Sequence, residues 1–353
     1  MARPGPRPGA IRAAQVKRIT VRRRSLRESD SAGAFRLSIR QRRCGMETTR
    51  LALIGVPSSA GGRRTGQDAG PTALRAAGLV ERLRETRLDV RDLGNTPTVR
   101  FRPDPEHPQQ QNASLVLDVS RQVAKYVDEG MADGRVPLVL GGDCTISLGV
   151  IAGLLRHRAR LGLLYLDADL DLNTPETTLS GILDGMALAH LLGRGIPELT
   201  AVGPRHPMLT DSDIVLFGYD LESGAIDPYE IEVLCESQMN SYPLSVVRTD
   251  PADTARAAVR VFGDDFDGFV VHFDIDVTNL TCVDVPHSGG LDADAAFEAL
   301  KVLVGAPKCV ALVVTEFNAE LDSDGSKAER LVDGLVGALA PRGRGRGPGP
   351  ISV

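Results

Sequence analysis

The sequence predicts an α/β protein with a mainly parallel sheet covered by helices on both faces. Three observations carry that expectation. Short apolar runs alternate with longer amphipathic stretches along most of the chain. The 353 residues, 42% of them apolar, suffice for one large α/β domain with a sizeable core. No apolar run approaches the roughly 18–20 residues of a membrane span, which excludes an integral membrane protein.

The elements follow in order. A first strand-like run, 51–56, leads to a helical stretch at 71–85 and another at 113–129. The apolar run 136–140 precedes a helical stretch at 145–158, and 162–166 precedes one at 185–192. Run 214–217 is followed by helical 251–261, run 269–273 by helical 295–304, and run 310–315 closes the series. In such sheets ligands bind outside the carboxyl ends of the strands.

Charge divides the chain. Residues 1–45 hold 13 Lys/Arg against Glu28 and Asp30, a net of +11. The rest holds 28 basic and 44 acidic residues, a net of −16. The leader lacks the apolar stretch of a secretory signal and reads as a disordered basic extension. Its composition is shared by transit peptides and nucleic-acid arms, but an acidic body would repel phosphate, so no nucleic-acid partner is expected. Residues 46–340 read as one domain and 341–353 as a disordered Gly/Arg tail. Aromatics are 4% with no Trp, which leaves little for base stacking. Five scattered Cys argue against a disulfide framework and suit a reducing, cytoplasmic setting.

The residues after the strands carry the chemistry. Cys144 follows 136–140; Asp167, Asp169 and Asp171 follow 162–166; Asp274 and Asp276 follow 269–273; Glu316 follows 310–315. Alternate residues of an extended segment point the same way, so the acids of each cluster could converge. Carboxylates that close need a compensating cation, and oxygen-rich ligands favour Mn²⁺ or Mg²⁺. The alternative, solvated acids in turns or helix caps, weakens because the pattern occurs twice.

Taken together, these residues resemble the ureohydrolase family of arginases, agmatinases and related amidinohydrolases, over roughly residues 51–333. Gly55-Val56-Pro57 and Gly70-Pro71-Thr72-Ala73-Leu74-Arg75 look like the family's opening. Gly141-Gly142-Asp143-Cys144 is similar to Gly-Gly-Asp-His, and Asp167-Ala168-Asp169-Leu170-Asp171 to Asp-Ala-His-x-Asp. Ser180-Gly181-Ile182-Leu183-Asp184-Gly185 is similar to Ser-Gly-Asn-x-His-Gly; Phe273-Asp274-Ile275-Asp276 and Glu316-Phe317-Asn318 complete the order.

The resemblance implies a three-layer αβα sandwich and hydrolysis of a guanidino group. It implies two Mn²⁺ ions that activate a shared water, held by Cys144, Asp167, Asp169, Asp171, Asp274 and Asp276. Glu316 would pair with the guanidinium. Residues 173–180 look like the arginase form of this loop, which makes Asn173 and Ser180 candidate readers of an α-amino-acid end. Glu222 is the looser candidate for the α-amino group. Family members commonly form homo-oligomers, and the expected partner is a small guanidino substrate.

Three family histidines are absent. Cys144 and Asp169 stand at two metal positions, and Asp184 stands where a proton-shuttling His is expected. Ile182 replaces an Asn. Five Asp plus a thiolate bring −6 against +4 from two divalent ions, which disfavours deprotonation of a bridging water. Of the six histidines, His190, His272 and His287 lie near these motifs; each reads as structural or surface, His287 being the one to watch. The leading reading is a hydrolase of arginine or an analogue, with Nω-hydroxy-L-arginine the specific candidate and ornithine plus urea or hydroxyurea the products. Hydrolysis of another guanidino or formimino compound such as agmatine, or an inactive binding or regulatory relative, are the alternatives.

Overall fold

The computed structural model describes residues 50–341, Ser288 excepted. The strands are β1 (Arg50–Gly55), β2 (Asp89–Asn95), β3 (Val136–Leu140), β4 (Leu161–Leu166), β5 (Ile214–Phe217), β6 (Asn240–Tyr242), β7 (Gly268–Asp274) and β8 (Cys309–Thr315). They form one sheet in the order β2-β1-β3-β8-β7-β4-β5-β6, with every pair parallel. Parallel strands need crossovers, and helices supply them.

Successive strand residues enter opposite cores. Leu138 and Leu140 join one apolar cluster and Val139 the other; Leu164 and Leu166 face Leu163 and Tyr165 in the same way. One layer comprises α1 (Gly70–Ala76), α2 (Leu79–Glu85), α8 (Leu244–Val247), α9 (Pro251–Val259), α10 (Ala293–Val304) and α11 (Ser326–Leu339). The opposite layer comprises α3 (Ala113–Ala132), α4 (Ile146–Leu154), α5 (Ala187–Leu191), α6 (Pro197–Thr200) and α7 (Pro228–Glu236). The result is the three-layer αβα sandwich. Every residue of α4 is buried, and its Gly149 lets α3 approach so closely that an added Cβ would meet the Ser120 carbonyl oxygen at 2.4 Å.

The six apolar runs are strands, with ends shifted by a residue. The two edge strands, β2 and β6, were not expected: β2 is mostly polar, and β6 has three half-buried residues, so neither shows an apolar run. The expected helix 71–85 is two helices, broken where Gly78 takes φ +82°. Helices α6, α7, α8 and α11 were also unanticipated. Residues 1–45 and the tail from 342 lie outside the described residues. Among the described residues no helix is long and apolar enough to cross a membrane.

The strand order brings the chemistry together. The strands that precede Cys144, Glu316, Asp274 and Asp167 are β3, β8, β7 and β4, which are consecutive neighbours at the centre of the sheet. After β3 the chain turns through Gly141 and Gly142, both at φ +84°. A Cβ on Gly142 would lie 3.2 Å from the Val56 carbonyl oxygen, so glycine alone suits the turn that delivers Cys144.

Candidate metal centre and active site

The acids converge through turns rather than through pleated strand. In both Asp-x-Asp pairs the first carboxylate accepts the backbone N–H of the second. Asp167 Oδ1 accepts from Asp169 N at 2.7 Å, and Asp274 Oδ1 from Asp276 N at 2.8 Å. Asp276 Oδ1 in turn accepts from Ala168 N at 3.2 Å, tying one cluster to the other. Their Oδ1 atoms are thus engaged with the backbone, and the Oδ2 atoms remain for the centre. The expected extended geometry gives way to Asx turns, because each segment leaves its strand as it reaches the first Asp.

Two donor groups result. In the first, the Cys144 thiol donates to Asp274 Oδ2 at 2.8 Å and lies 3.8 Å from Asp167 Oδ2. His272 Nε2 stands 3.5 Å from the same sulfur and 3.6 Å from Asp167 Oδ2. The Thr315 hydroxyl donates to Asp274 Oδ2 at 3.1 Å, as the register pairing of Asp274 with Thr315 across β7 and β8 dictates. In the second group, His287 Nε2 lies 3.5 Å from Asp276 Oδ2 and 3.6 Å from Asp169 Oδ2. Within each group the ligand atoms lie within 4.8 Å of one another. Asp171 joins neither; it takes φ +51°, and its carboxylate accepts a hydrogen bond from the Tyr165 hydroxyl.

A third group joins Cys144, Asp184 and Glu316. Asp184 Oδ1 accepts the Cys144 N–H at 2.7 Å. Glu316 is buried at φ +68°, a strained conformation for a non-glycine residue. Its Oε2 accepts from Gln67 Nε2 at 2.6 Å, while its buried Oε1 has no hydrogen-bond partner.

Electrostatics set these groups apart. Burial, then the neighbouring Asp276 and Asp274, pushes Asp167 well above the ordinary carboxylate range. Burial and Asp276 do the same to Asp274, burial and Asp184 to Glu316, and burial and Asp143 to Asp184. Burial and Asp274 also push the Cys144 thiol up. Burial holds His272 down to about 3. Burial opposes the charged form of His287, but Asp169 and Asp276 outweigh it and raise that imidazole to about 10.

The remaining expected residues make their hydrogen bonds apart from these groups. Asn173 is half-buried, donating to Asp227 Oδ2 at 3.2 Å and accepting from Thr177 Oγ1 at 3.0 Å. Ser180 is exposed and accepts from Ile182 N at 3.2 Å. Glu222 is exposed, whereas Asp220 two residues earlier is buried beyond the end of β5 and accepts the Glu222 N–H at 2.9 Å.

The chain matches the model of the arginase family over residues 49–340. It is 33% identical over 297 residues to the arginase of Bacillus caldovelox, which covers 82% of this chain and 97% of that one. The solved native structure of an arginase from Bacillus caldovelox superposes with a TM-score of 0.77 at 31% identity, covering 84% of this chain and 99% of the other. A formiminoglutamase structure from Trypanosoma cruzi with Mn²⁺ shares the fold at TM-score 0.63 and 19% identity, over 85% and 95% of the two chains. The chain belongs to the arginase family.

Arginase-family proteins are amidinohydrolases that act on guanidino C–N bonds at a binuclear metal centre. The donors found here fit such a centre. Carboxylates, imidazole and sulfur are all metal-ligand types, and the crowded buried acids need compensating positive charge. His287 Nε2 faces the Asp169 and Asp276 carboxylates at 3.6 and 3.5 Å without a hydrogen bond to either, as atoms disposed around a shared ion would be. His272, Asp220, Tyr165, Thr315 and Gln67 were not singled out as site residues from the sequence. Asp220 carried one signal, as an acid two residues beyond an apolar run's glycine. His272 lay inside an apolar run, where an imidazole reads as core.

Proposed function

We propose that this arginase-family chain hydrolyses the guanidino group of arginine or a close analogue, with Nω-hydroxy-L-arginine the leading candidate. The products would be ornithine and urea or hydroxyurea. The observation that carries this reading is the unpartnered Oε1 of buried Glu316, beside Cys144 and Asp184. A buried carboxylate with an open lone pair is a seat for a planar cation. Gln67 fixes the other oxygen and so orients it.

Two divalent ions, Mn²⁺ in the family pattern, would polarise a water for attack on the guanidinium carbon. The proposed ligands include Asp167, Asp169, Asp274, Asp276 and Cys144, with Asp171 held beside them by Tyr165. Asp184 would serve as the proton shuttle. Its carboxyl is anchored by the Cys144 N–H and kept protonatable by burial and Asp143, so it can hold a proton for the departing nitrogen. An N-hydroxylated guanidine is less basic than arginine and makes a different demand on that proton. Asn173 and Ser180, on the loop that leads from Asp171 to Asp184, would read the α-amino-acid end of such a substrate. Glu222 is exposed, and its role as partner of the α-amino group belongs to the same reading. So do a homo-oligomeric assembly and a cytoplasmic location.

Purified protein with Mn²⁺ is assayed against arginine, Nω-hydroxy-L-arginine and agmatine for urea, hydroxyurea and ornithine. Ornithine released fastest from the N-hydroxy substrate supports the reading. No ornithine from either amino acid sinks it.

A further inference from the structure

We propose that the two imidazoles absent from the family's ligand positions are supplied from elsewhere in this chain: His272, inside β7, serves the Cys144 group, and His287, on the loop after β7, serves the Asp169 group. The inference rests on the metal-dependent reading above and names the ligands of that same centre.

Each histidine is placed as a ligand would be. His272 is fully buried, and its ring stacks on Tyr165 with centroids 4.1 Å apart and planes 11° from parallel. Its Nδ1 is hydrogen-bonded to Ser147 Oγ at 2.8 Å. That contact leaves Nε2 facing Cys144, Asp167 and, at 3.3 Å, the Thr315 hydroxyl. Metal-ligating histidines characteristically use the second nitrogen for such an anchoring contact. The four donors Cys144 Sγ, Asp167 Oδ2, His272 Nε2 and Asp274 Oδ2 then make a complete set without Asp171, which Tyr165 holds.

His287 is 93% buried, and its Nε2 points between Asp169 and Asp276 with no hydrogen-bond partner of its own. Its loop is closed at the base, where Leu291 N donates to Val277 O and Asn279 N to Leu291 O, both at 2.8 Å. Asp284, three residues before it, is clamped by Arg64 Nε at 2.9 Å and Asn318 Nδ2 at 2.6 Å. The imidazole is therefore held against the acids by the fold, with Nε2 turned to both carboxylates.

The two groups are unequal. Sulfur, imidazole and two carboxylates make the first a softer site than the imidazole and two carboxylates of the second, so it should favour an ion such as Zn²⁺ or Co²⁺ over Mn²⁺. Four carboxylates match the charge of two divalent ions, and the thiolate adds one negative charge.

Co²⁺ is titrated into the metal-stripped full chain by calorimetry and absorption. Two equivalents should bind, one of them giving a thiolate-to-cobalt charge-transfer band. His287→Ala should weaken one equivalent at least about 10-fold and leave the band in place. His272→Gln should weaken the equivalent that carries the band. If both variants unfold cooperatively and bind two ions with unchanged affinity, the inference is overturned. Should His272→Gln fail to fold, His287→Ala alone decides, since its loop lies outside the sheet. Wild-type protein that binds two ions as described but hydrolyses no guanidino compound leaves the ligands standing and sinks the proposed function. Turnover with unaltered metal binding in both variants does the reverse. A wild type that binds no ion overturns both.

Discussion

His272 and Tyr165 are direct register partners across β7 and β4, and their rings stack at 4.1 Å. The pair acts in two directions: His272 turns Nε2 toward Cys144, while the Tyr165 hydroxyl draws Asp171. Tyr165→Phe keeps the stack and removes only that hydroxyl. Because Asp171 is buried and loses its donor, the substitution should cost about 1–3 kcal/mol in urea unfolding. Tyr165→Leu, which also loses the stack, should cost more. Equal stability of wild type and Tyr165→Phe would mean that the hydroxyl does not hold Asp171.

The central strands were readable because each is a short apolar run, and the acids because they stand directly after those runs. Strands β2 and β6 hid because an edge strand needs no continuous apolar run; Asp89, Arg91 and Asp92 face water or ion pairs. The histidines hid for another reason. His272 lies in the strand interior, and only the register with Tyr165 shows that it faces the site. His287 reaches Asp276 only because the chain folds back so that Thr278 pairs with Leu291, a contact no local pattern announces.

Glu316→Gln preserves shape and removes charge. If Glu316 Oε1 seats the guanidinium, a charge-assisted hydrogen bond is lost, worth about 3 kcal/mol, and kcat/KM should fall roughly 100-fold. Metal content should stay as in the wild type, because the deficit lies in the substrate seat. Steady-state kinetics beside metal analysis separates the two, and a variant with near-normal kcat/KM would remove Glu316 from the site.

Asp284 holds the His287 loop from a distance, through Arg64 and Asn318. Asp284→Ala should raise hydrogen exchange across 282–291 and weaken one metal equivalent about 10-fold, the scale of outer-shell losses at metal sites. The stability cost should be modest, about 1–2 kcal/mol, because the Arg64 side chain is half exposed. Unchanged exchange in that loop would show that the backbone closure at Val277–Leu291 suffices to hold it.

His190 provides an acid-sensitive element away from the metal groups. It is fully buried; its Nδ1–H donates to the Met186 carbonyl at 2.7 Å, and its Nε2 has no partner. Burial lowers its pKa from 6.5 to about 4. Above pH 6.5 neither folded nor unfolded chain binds a proton there, so the stabilisation is complete. As pH falls from 6.5 toward 4, the unfolded chain takes up a proton that the folded chain refuses, and stability declines by up to about 3 kcal/mol. His190→Gln lacks this proton uptake. The wild type's advantage over the variant in urea midpoint should therefore shrink steadily between pH 7 and pH 4.5. A difference that stays constant across that range would show that His190 is not held neutral by the fold.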